Sequence, residues 1–237
     1  MKISDNVHIL EFGEPNRMVP VIVRGENGLL LVDAGLPGQF EILKEAIAAE
    51  GFCINDLKAI LLTHQDLDHM GGVNEIKAAV SGLAVYAHET EAPYIDGREK
   101  PYKLRDKLAS YNSLAQEAKQ DVDDRVENAK KFTCTVDKTL KDGDILPEFQ
   151  NIQVIHTPGH TSGHICLYLP ESKALITGDG LVVSEGNLKG PMPMYTYDMT
   201  LAVKSLEKLL DYDIEVVLAY HGGVFRGDVK AALARIL

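Results

Sequence analysis

The stretch Thr63-His64-Gln65-Asp66-Leu67-Asp68-His69-Met70-Gly71-Gly72 constrains this chain more than any other. Two histidines and two aspartates fall within six residues. They follow Ala59-Ile60-Leu61-Leu62, an apolar run with the length and character of a buried strand. Two glycines then let the backbone turn sharply into the next element. Imidazole and carboxylate are the N and O ligands that zinc and similar divalent ions take. If the strand continues, alternation puts His64, Asp66 and Asp68 on one face. The competing interpretation is a polar loop capping the next helix, with Asp68 at its N-cap.

Composition bounds the partners. The net charge of −11 repels a phosphate backbone, which argues against a nucleic-acid binder. Apolar residues make up 45% of 237 residues, enough for a large core in one domain spanning 1–237. Cys53, Cys134 and Cys166 are odd in number and far apart, which reads as reduced thiols of a cytoplasmic protein. The first residues lack the apolar core of a signal peptide, and no run of about 18 apolar residues would span a membrane.

Strand-like segments at 6–12, 18–23 and 29–32 suggest a β-meander that ends in Asp33-Ala34-Gly35. Asp33 either closes a turn or orients a ligand of the metal site, and the second role is preferred. Residues 38–50 form an amphipathic helix with Ile42, Leu43, Ala46 and Ile47 inward. A helix over 73–80 and a strand over 83–86 complete a βαβ-like unit, with His88 expected as a solvated turn residue. Residues 94–131 break the rhythm. From Leu104 to Ala129, apolar or small residues recur every three or four positions, which predicts one long amphipathic helix, with room for an interruption, that covers the core for most of its length; a lid over the site or a dimer contact is the alternative. Arg98, Lys100 and Lys103 at its entrance are expected to be surface charges, with an anionic substrate as the alternative partner.

Three more strand ends carry ligand-type side chains. Strand 152–156 leads into Thr157-Pro158-Gly159-His160-Thr161-Ser162-Gly163-His164. A hairpin of 165–169 and 173–177 ends in Gly178-Asp179-Gly180, and strand 214–219 ends in Tyr220-His221-Gly222-Gly223. Helices are expected over 199–210 and 226–237. The set His64, Asp66, Asp68, His69, His160, Asp179 and His221 is too large for one tetrahedral ion and fits two ions sharing a carboxylate.

The ordered motifs His64-x-Asp66-x-Asp68-His69, Pro158-Gly159-His160-Thr161-x-Gly163-His164, Gly178-Asp179 and His221-Gly222 resemble the metallo-β-lactamase superfamily over nearly the whole chain. The resemblance implies an α+β fold, a four-layer αββα sandwich with the metals at one edge. It implies a first metal on His64, Asp66, His160 and Asp179, and a second on Asp68, His69, Asp179 and His221, with Asp179 bridging. The family has a histidine where this chain has Asp66. A carboxylate there adds negative charge and a hard ligand, which shifts preference from zinc, the family's usual ion, toward manganese or iron. His156 and His164 fall outside the ligand positions and are expected to pack or hydrogen-bond beside the site.

The implied chemistry is hydrolysis by a hydroxide bridging two ions, with Asp68 orienting it or passing its proton onward. Of the family's substrates, lactones and thioesters fit best, as a small-molecule acyl compound. The alternatives are a small-molecule phosphodiesterase, or a non-catalytic metal-binding or sensor protein in which Asp66 has spoiled the chemistry. The segment 184–197 follows Asp179 and is expected to border the pocket, with a hydroxyl of Tyr195 or Tyr197 toward the substrate.

Overall fold

A computed structural model describes residues 1–12 and 18–237. Its first sheet has six strands in sequential order: β1 (Val7–Ile9), β2 (Val21–Gly25), β3 (Gly28–Val32), β4 (Leu57–Leu62), β5 (Ala84–His88) and β6 (Lys138–Leu140). The first three are antiparallel, as the expected meander requires, and β3 to β6 are parallel. Parallel neighbours need crossovers. Helix α1 (Phe40–Ala49) makes the first; α2 (Leu67–Met70) and α3 (Val73–Ala79) make the second. The last crossover holds α4 (Ala92–Ile95), α5 (Arg105–Ala109) and α6 (Gln116–Lys130).

The second sheet holds β7 (Ile145–Leu146), β8 (Ile152–His156), β9 (Ile165–Leu169) and β10 (Ala174–Ile176). A separate hairpin of β11 (Val182–Ser184) and β12 (Asn187–Lys189) follows. Helix α7 (Met199–Ser205), capped by the Asp198 carboxylate, then precedes β13 (Val216–Ala219), β14 (Gly223–Arg226) and α8 (Val229–Ile236). The sheet order is β14-β13-β10-β9-β8-β7.

Strand alternation explains the four layers. In β3, Leu29 and Leu31 join a core with Leu43 and Ile47 of α1 and Val73 and Ile76 of α3. Leu30 and Val32 point the other way, into a core shared with Val154, Leu167 and Leu218 of the second sheet. That sheet repeats the arrangement: Cys166, Val217 and Ala219 face Leu206, Val229 and Leu233 on its helical side. Both faces of each sheet are covered, so the central strands read as continuous apolar runs. The result is the expected αββα sandwich. No helix among the described residues is long and apolar enough to cross a membrane.

Two expectations need correction, and the interruption allowed in the 94–131 helix takes a definite place. The long helix from Leu104 is broken: α5 stops at Ala109, a 3-10 turn covers Tyr111–Ser113, and α6 restarts at Gln116. Ser110 Oγ donates to Asp106 O at 2.8 Å and Ser113 Oγ to Ser110 O at 2.7 Å. The same carbonyls accept the backbone N–H of Ser110 and Ser113, so each serine bonds the preceding turn twice, and extended backbone at Leu114 then separates this turn from α6. The 3/4 spacing holds within α6, where Val122 is buried and Val126 and Ala129 are half-buried. The closing helix starts only at Val229, because Gly223–Arg226 pairs with β13 as an edge strand. The segment 184–197 begins as the β11–β12 hairpin instead of a plain loop.

Candidate metal centre

The ends of β3 and β4 in one sheet and of β8, β10 and β13 in the other meet along one edge of the sandwich. Seven side chains converge there in two groups, His64, Asp66, His160 and Asp179 in one and Asp68, His69 and His221 in the other. Within each group the ligand-type atoms lie within 4.8 Å of one another.

The route of convergence differs from strand alternation. Strand β4 ends at Leu62, and Asp66 occupies the N-cap position of the four-residue helix α2. Its carboxylate makes no cap bond and faces the site, so neither simple alternation nor an Asp68 cap describes this stretch. The short helix carries Asp68 and His69 into the second group.

Each of the four imidazoles in these groups points Nε2 inward. His64 Nε2 is 3.3 Å and His160 Nε2 3.1 Å from Asp66 Oδ2. His160 Nε2 is also 3.4 Å from Asp179 Oδ2, while the other oxygen, Oδ1, lies 3.1 Å from His69 Nε2 and 3.5 Å from His221 Nε2. Asp179 thus faces each group with a different oxygen. Asp68 Oδ2 is 3.2 Å from His221 Nε2.

The opposite ring nitrogens are held by neighbours. His69 Nδ1 donates to Asp33 Oδ2 at 2.9 Å, and His64 Nδ1 lies 3.0 Å from Thr63 Oγ1. The Thr63 hydroxyl donates to Asp33, so the ring N–H of His64 must be on Nδ1 and its Nε2 carries a free lone pair. Asp33 sits at the end of β3 with φ 61°, a left-handed conformation that aspartate tolerates better than most residues. From there it orients the ring of His69 directly and that of His64 through Thr63.

His164 plays another part. Its Nε2 accepts the backbone N–H of Asp179 at 3.1 Å, and its Nδ1 lies 2.9 Å from Thr157 Oγ1. Both ring nitrogens are used, so His164 shapes the turn that presents Asp179. Burial, together with His64 and His160, pushes its pKa well below the ordinary histidine value, which keeps it the neutral acceptor this geometry requires. The turn itself requires glycine: a Cβ on Gly178 (φ 46°) would sit 2.8 Å from His164 Nε2 and from Thr63 Oγ1.

The electrostatics fit bound cations. Burial opposes ionisation of Asp66 and Asp179, yet the surrounding imidazoles hold both well below the usual carboxylate range. Burial and the His69 charge push His64 down to about 4. Against its burial, Asp33, Asp179 and Asp68 raise His69. Buried carboxylates thus surround rings aimed at one another. Among the described residues, His64 Nε2, His69 Nε2 and Asp179 Oδ1 are buried without a hydrogen-bond partner. Buried polar atoms are normally satisfied. Divalent ions with mixed nitrogen and oxygen ligands would satisfy these three.

Several contributors escaped the sequence. Glu91 is fully buried, and its carboxylate accepts Gln65 N at 3.1 Å, Gln65 Nε2 at 3.0 Å and Gly163 N at 2.8 Å. One side chain therefore joins the loop of His64 and Asp66 to the loop of His160. Nothing local to Thr90-Glu91-Ala92 signals this. Tyr220 stacks on His69 at 3.9 Å between ring centroids and donates to Asp68 O. Lys103, expected at the surface, reaches Asp66 Oδ2 and lies 3.0 Å from His160 Nε2. Arg98 is exposed and pairs with Asp96, as a surface charge should.

A groove of about 560 Å³ opens at Asp66, Asp68, Asp179 and His221, with Met18, Leu36, Met192 and Tyr195 on its walls. Tyr197 turns elsewhere: its hydroxyl donates to Asp106 at 2.6 Å and accepts from Arg105 Nε at 2.7 Å. His88 is neither solvated nor in the pocket. It is buried and stacked on His156, with ring centroids 4.0 Å apart.

Comparison with known proteins points to one family. The sequence model described as the metallo-beta-lactamase superfamily matches residues 19–221. The probable metallo-hydrolase YflN of Bacillus subtilis (strain 168) is 28% identical over 215 residues, 83% of this chain and 76% of that protein. A hydroxyacylglutathione hydrolase of Brucella anthropi is 31% identical over 129 residues, 53% of this chain and 34% of that protein. Among solved structures, the metallo-beta-lactamase family protein TTHA1429 of Thermus thermophilus superposes with a TM-score of 0.73 at 24% identity, covering 99% of this chain and 79% of that one. TTHA1623, solved in a di-iron-bound form, superposes with a TM-score of 0.65 at 26% identity, covering 97% and 98%.

Proposed function

We propose that this chain, which belongs to the metallo-beta-lactamase superfamily, is a dinuclear metal-dependent hydrolase of a small acyl compound, a lactone, thioester or related ester. The observation that carries this is Asp179, whose two carboxylate oxygens face two separate sets of imidazoles. His64, Asp66 and His160 would hold one ion, and Asp68, His69 and His221 the other. When bound, the ions supply a water of lowered pKa and polarise the substrate oxygen.

The chain's own residues do the rest. Asp33 and Thr63 fix the rings of His69 and His64 in the tautomers that aim Nε2 inward. Asp68 borders the groove, and although burial opposes its ionisation, His69 and His221 hold it below the usual carboxylate range. It is therefore an ionised carboxylate that, besides holding an ion, would take the proton of the attacking water. Met18, Leu36 and Met192 give the substrate an apolar wall, and Tyr195, which lines the same groove, would donate its hydroxyl to the substrate carbonyl oxygen. The relative that hydrolyses hydroxyacylglutathione supports an acyl substrate, and the di-iron form of TTHA1623 supports a non-zinc ion.

The test is elemental analysis of unchelated protein, paired with lactone, thioester and phosphodiester substrates. About two ions per chain and turnover of a lactone or thioester are expected. Turnover of the phosphodiester alone would replace the acyl assignment. One ion or none, with no turnover after metal is restored, would remove the dinuclear assignment altogether. Asp68→Asn should abolish turnover while leaving the fold intact.

A further inference from the structure

Lys103 reaches the candidate metal centre from the segment between α4 and α5. Its Nζ contacts Asp66 Oδ2 and lies 3.0 Å from His160 Nε2. Those two acceptor atoms face each other at 3.1 Å and belong to the same four-residue ligand group. An ammonium has three donors and no acceptor, so it engages the lone pairs that a divalent ion would need. His160 Nε2 has a single lone pair, so the ammonium and a divalent ion exclude one another there, and at Asp66 Oδ2 the two cations would repel. Asp68, in the other group, faces the imidazoles of His69 and His221 instead.

The placement of Lys103 is built into the fold. Tyr102 N donates to Gln65 Oε1 at 3.0 Å, and Gln65 is fixed in turn by the buried Glu91. On the other side, Arg105 and Asp106 are tied to the Tyr197 hydroxyl. The residues flanking Lys103 are thus pinned to both sides of the site.

We infer that Lys103 competes with an ion for the position formed by His64, Asp66 and His160, so that the two ion positions fill in order. The group of Asp68, His69 and His221 fills first, with Asp179 Oδ1. The group containing Asp66 fills only when Lys103 withdraws. In the metal-poor protein, Lys103 would stabilise the site by neutralising the carboxylate that this chain has in place of a histidine. This inference rests on the metal-centre assignment made above.

The experiment is titration of chelator-stripped protein with zinc(II) against a chromophoric chelator. The wild-type protein should bind one equivalent tightly and the second about tenfold or more weakly, the size of one charge-assisted hydrogen bond. Lys103→Met should tighten the second equivalent by about tenfold and leave the first nearly unchanged. Lys103→Gln, which keeps a polar tip without the charge, serves if the methionine variant does not fold. Asp68→Asn should abolish the tight equivalent and spare the weak one. Equal affinities in wild type and both Lys103 variants, or loss of the weak equivalent in Asp68→Asn, would overturn the inference alone. No zinc bound by any variant would overturn the metal centre and the inference with it.

Discussion

Asp33 links two ligands at once, accepting from His69 Nδ1 and from the Thr63 hydroxyl that holds His64. Its replacement by asparagine keeps the shape and removes the charge that steadies both rings. Asp33→Asn should weaken metal affinity by roughly 10–100-fold, the usual cost of losing such an orienting partner. Chelator competition on folded protein would measure it, and unchanged affinity would show that the rings are positioned by packing alone. The cysteines allow an independent check of side-chain environment. Cys53 is exposed, whereas burial pushes the thiols of Cys134 and Cys166 up to about 11 and about 12. A disulfide reagent at pH 8 should therefore modify Cys53 alone in native protein and all three thiols after denaturation. Rapid reaction of Cys166 in the native state would contradict the packing of the second sheet against its helices.

Among the elements, the segment 94–131 matters most. Its chain breaks at Ser110 and Ser113, and its charged α6 buries only one apolar face. What holds its front end over the site is a small set of polar contacts, chiefly Tyr197 with Arg105 and Asp106, and Tyr102 with Gln65. Regions held this way open at low free-energy cost. Tyr197→Phe should speed amide hydrogen exchange over 102–109 by severalfold while changing the melting temperature by no more than about 2 °C. A large global loss of stability would mean that this segment is an integral part of the core, not a cover. The repetition of apolar residues made this region legible as helical. An interruption was allowed for, but its place was not legible, because Tyr111-Asn112-Ser113 contains no glycine or proline to mark it.

Across the sandwich as a unit, the two sheets meet at a histidine pair. His88 ends β5 in the first sheet and His156 ends β8 in the second, and their rings stack at 15°. Burial, with the His156 charge, pushes His88 down to about 4, and burial also lowers His156. The unfolded chain binds these protons below about pH 6.5, whereas folded His88 resists until about 4. The unfolded state then holds more protons, so stability rises with pH across this window and is lost as pH falls through it. In chelated protein, His88→Gln should lose less stability than wild type between pH 7 and pH 5 in urea unfolding. An identical pH dependence would show that the pair does not contribute to acid sensitivity.

Which residues gather at the metal centre could be read from the linear chain. All seven follow a strand end recognisable from an apolar run, with Asp66, Asp68 and His69 displaced onto the short helix α2 beyond β4. Strand alternation and helical periodicity, which are properties of neighbouring residues, gave the elements, whereas the four-layer sandwich followed only from the resemblance of the ordered motifs to the family. Apart from Asp33 and His164, which the sequence placed beside the site, what surrounds the ligands emerged only on folding. Glu91 is 26 residues from Gln65 and 72 from Gly163, Tyr197 is 92 from Arg105, and Lys103 is 37 from Asp66. No periodicity spans such distances. A charged side chain looks the same in sequence whether it is solvated or buried among acceptors. The difference arises only when the fold brings a half-buried carboxylate from 37 residues away to meet it, as Asp66 meets Lys103.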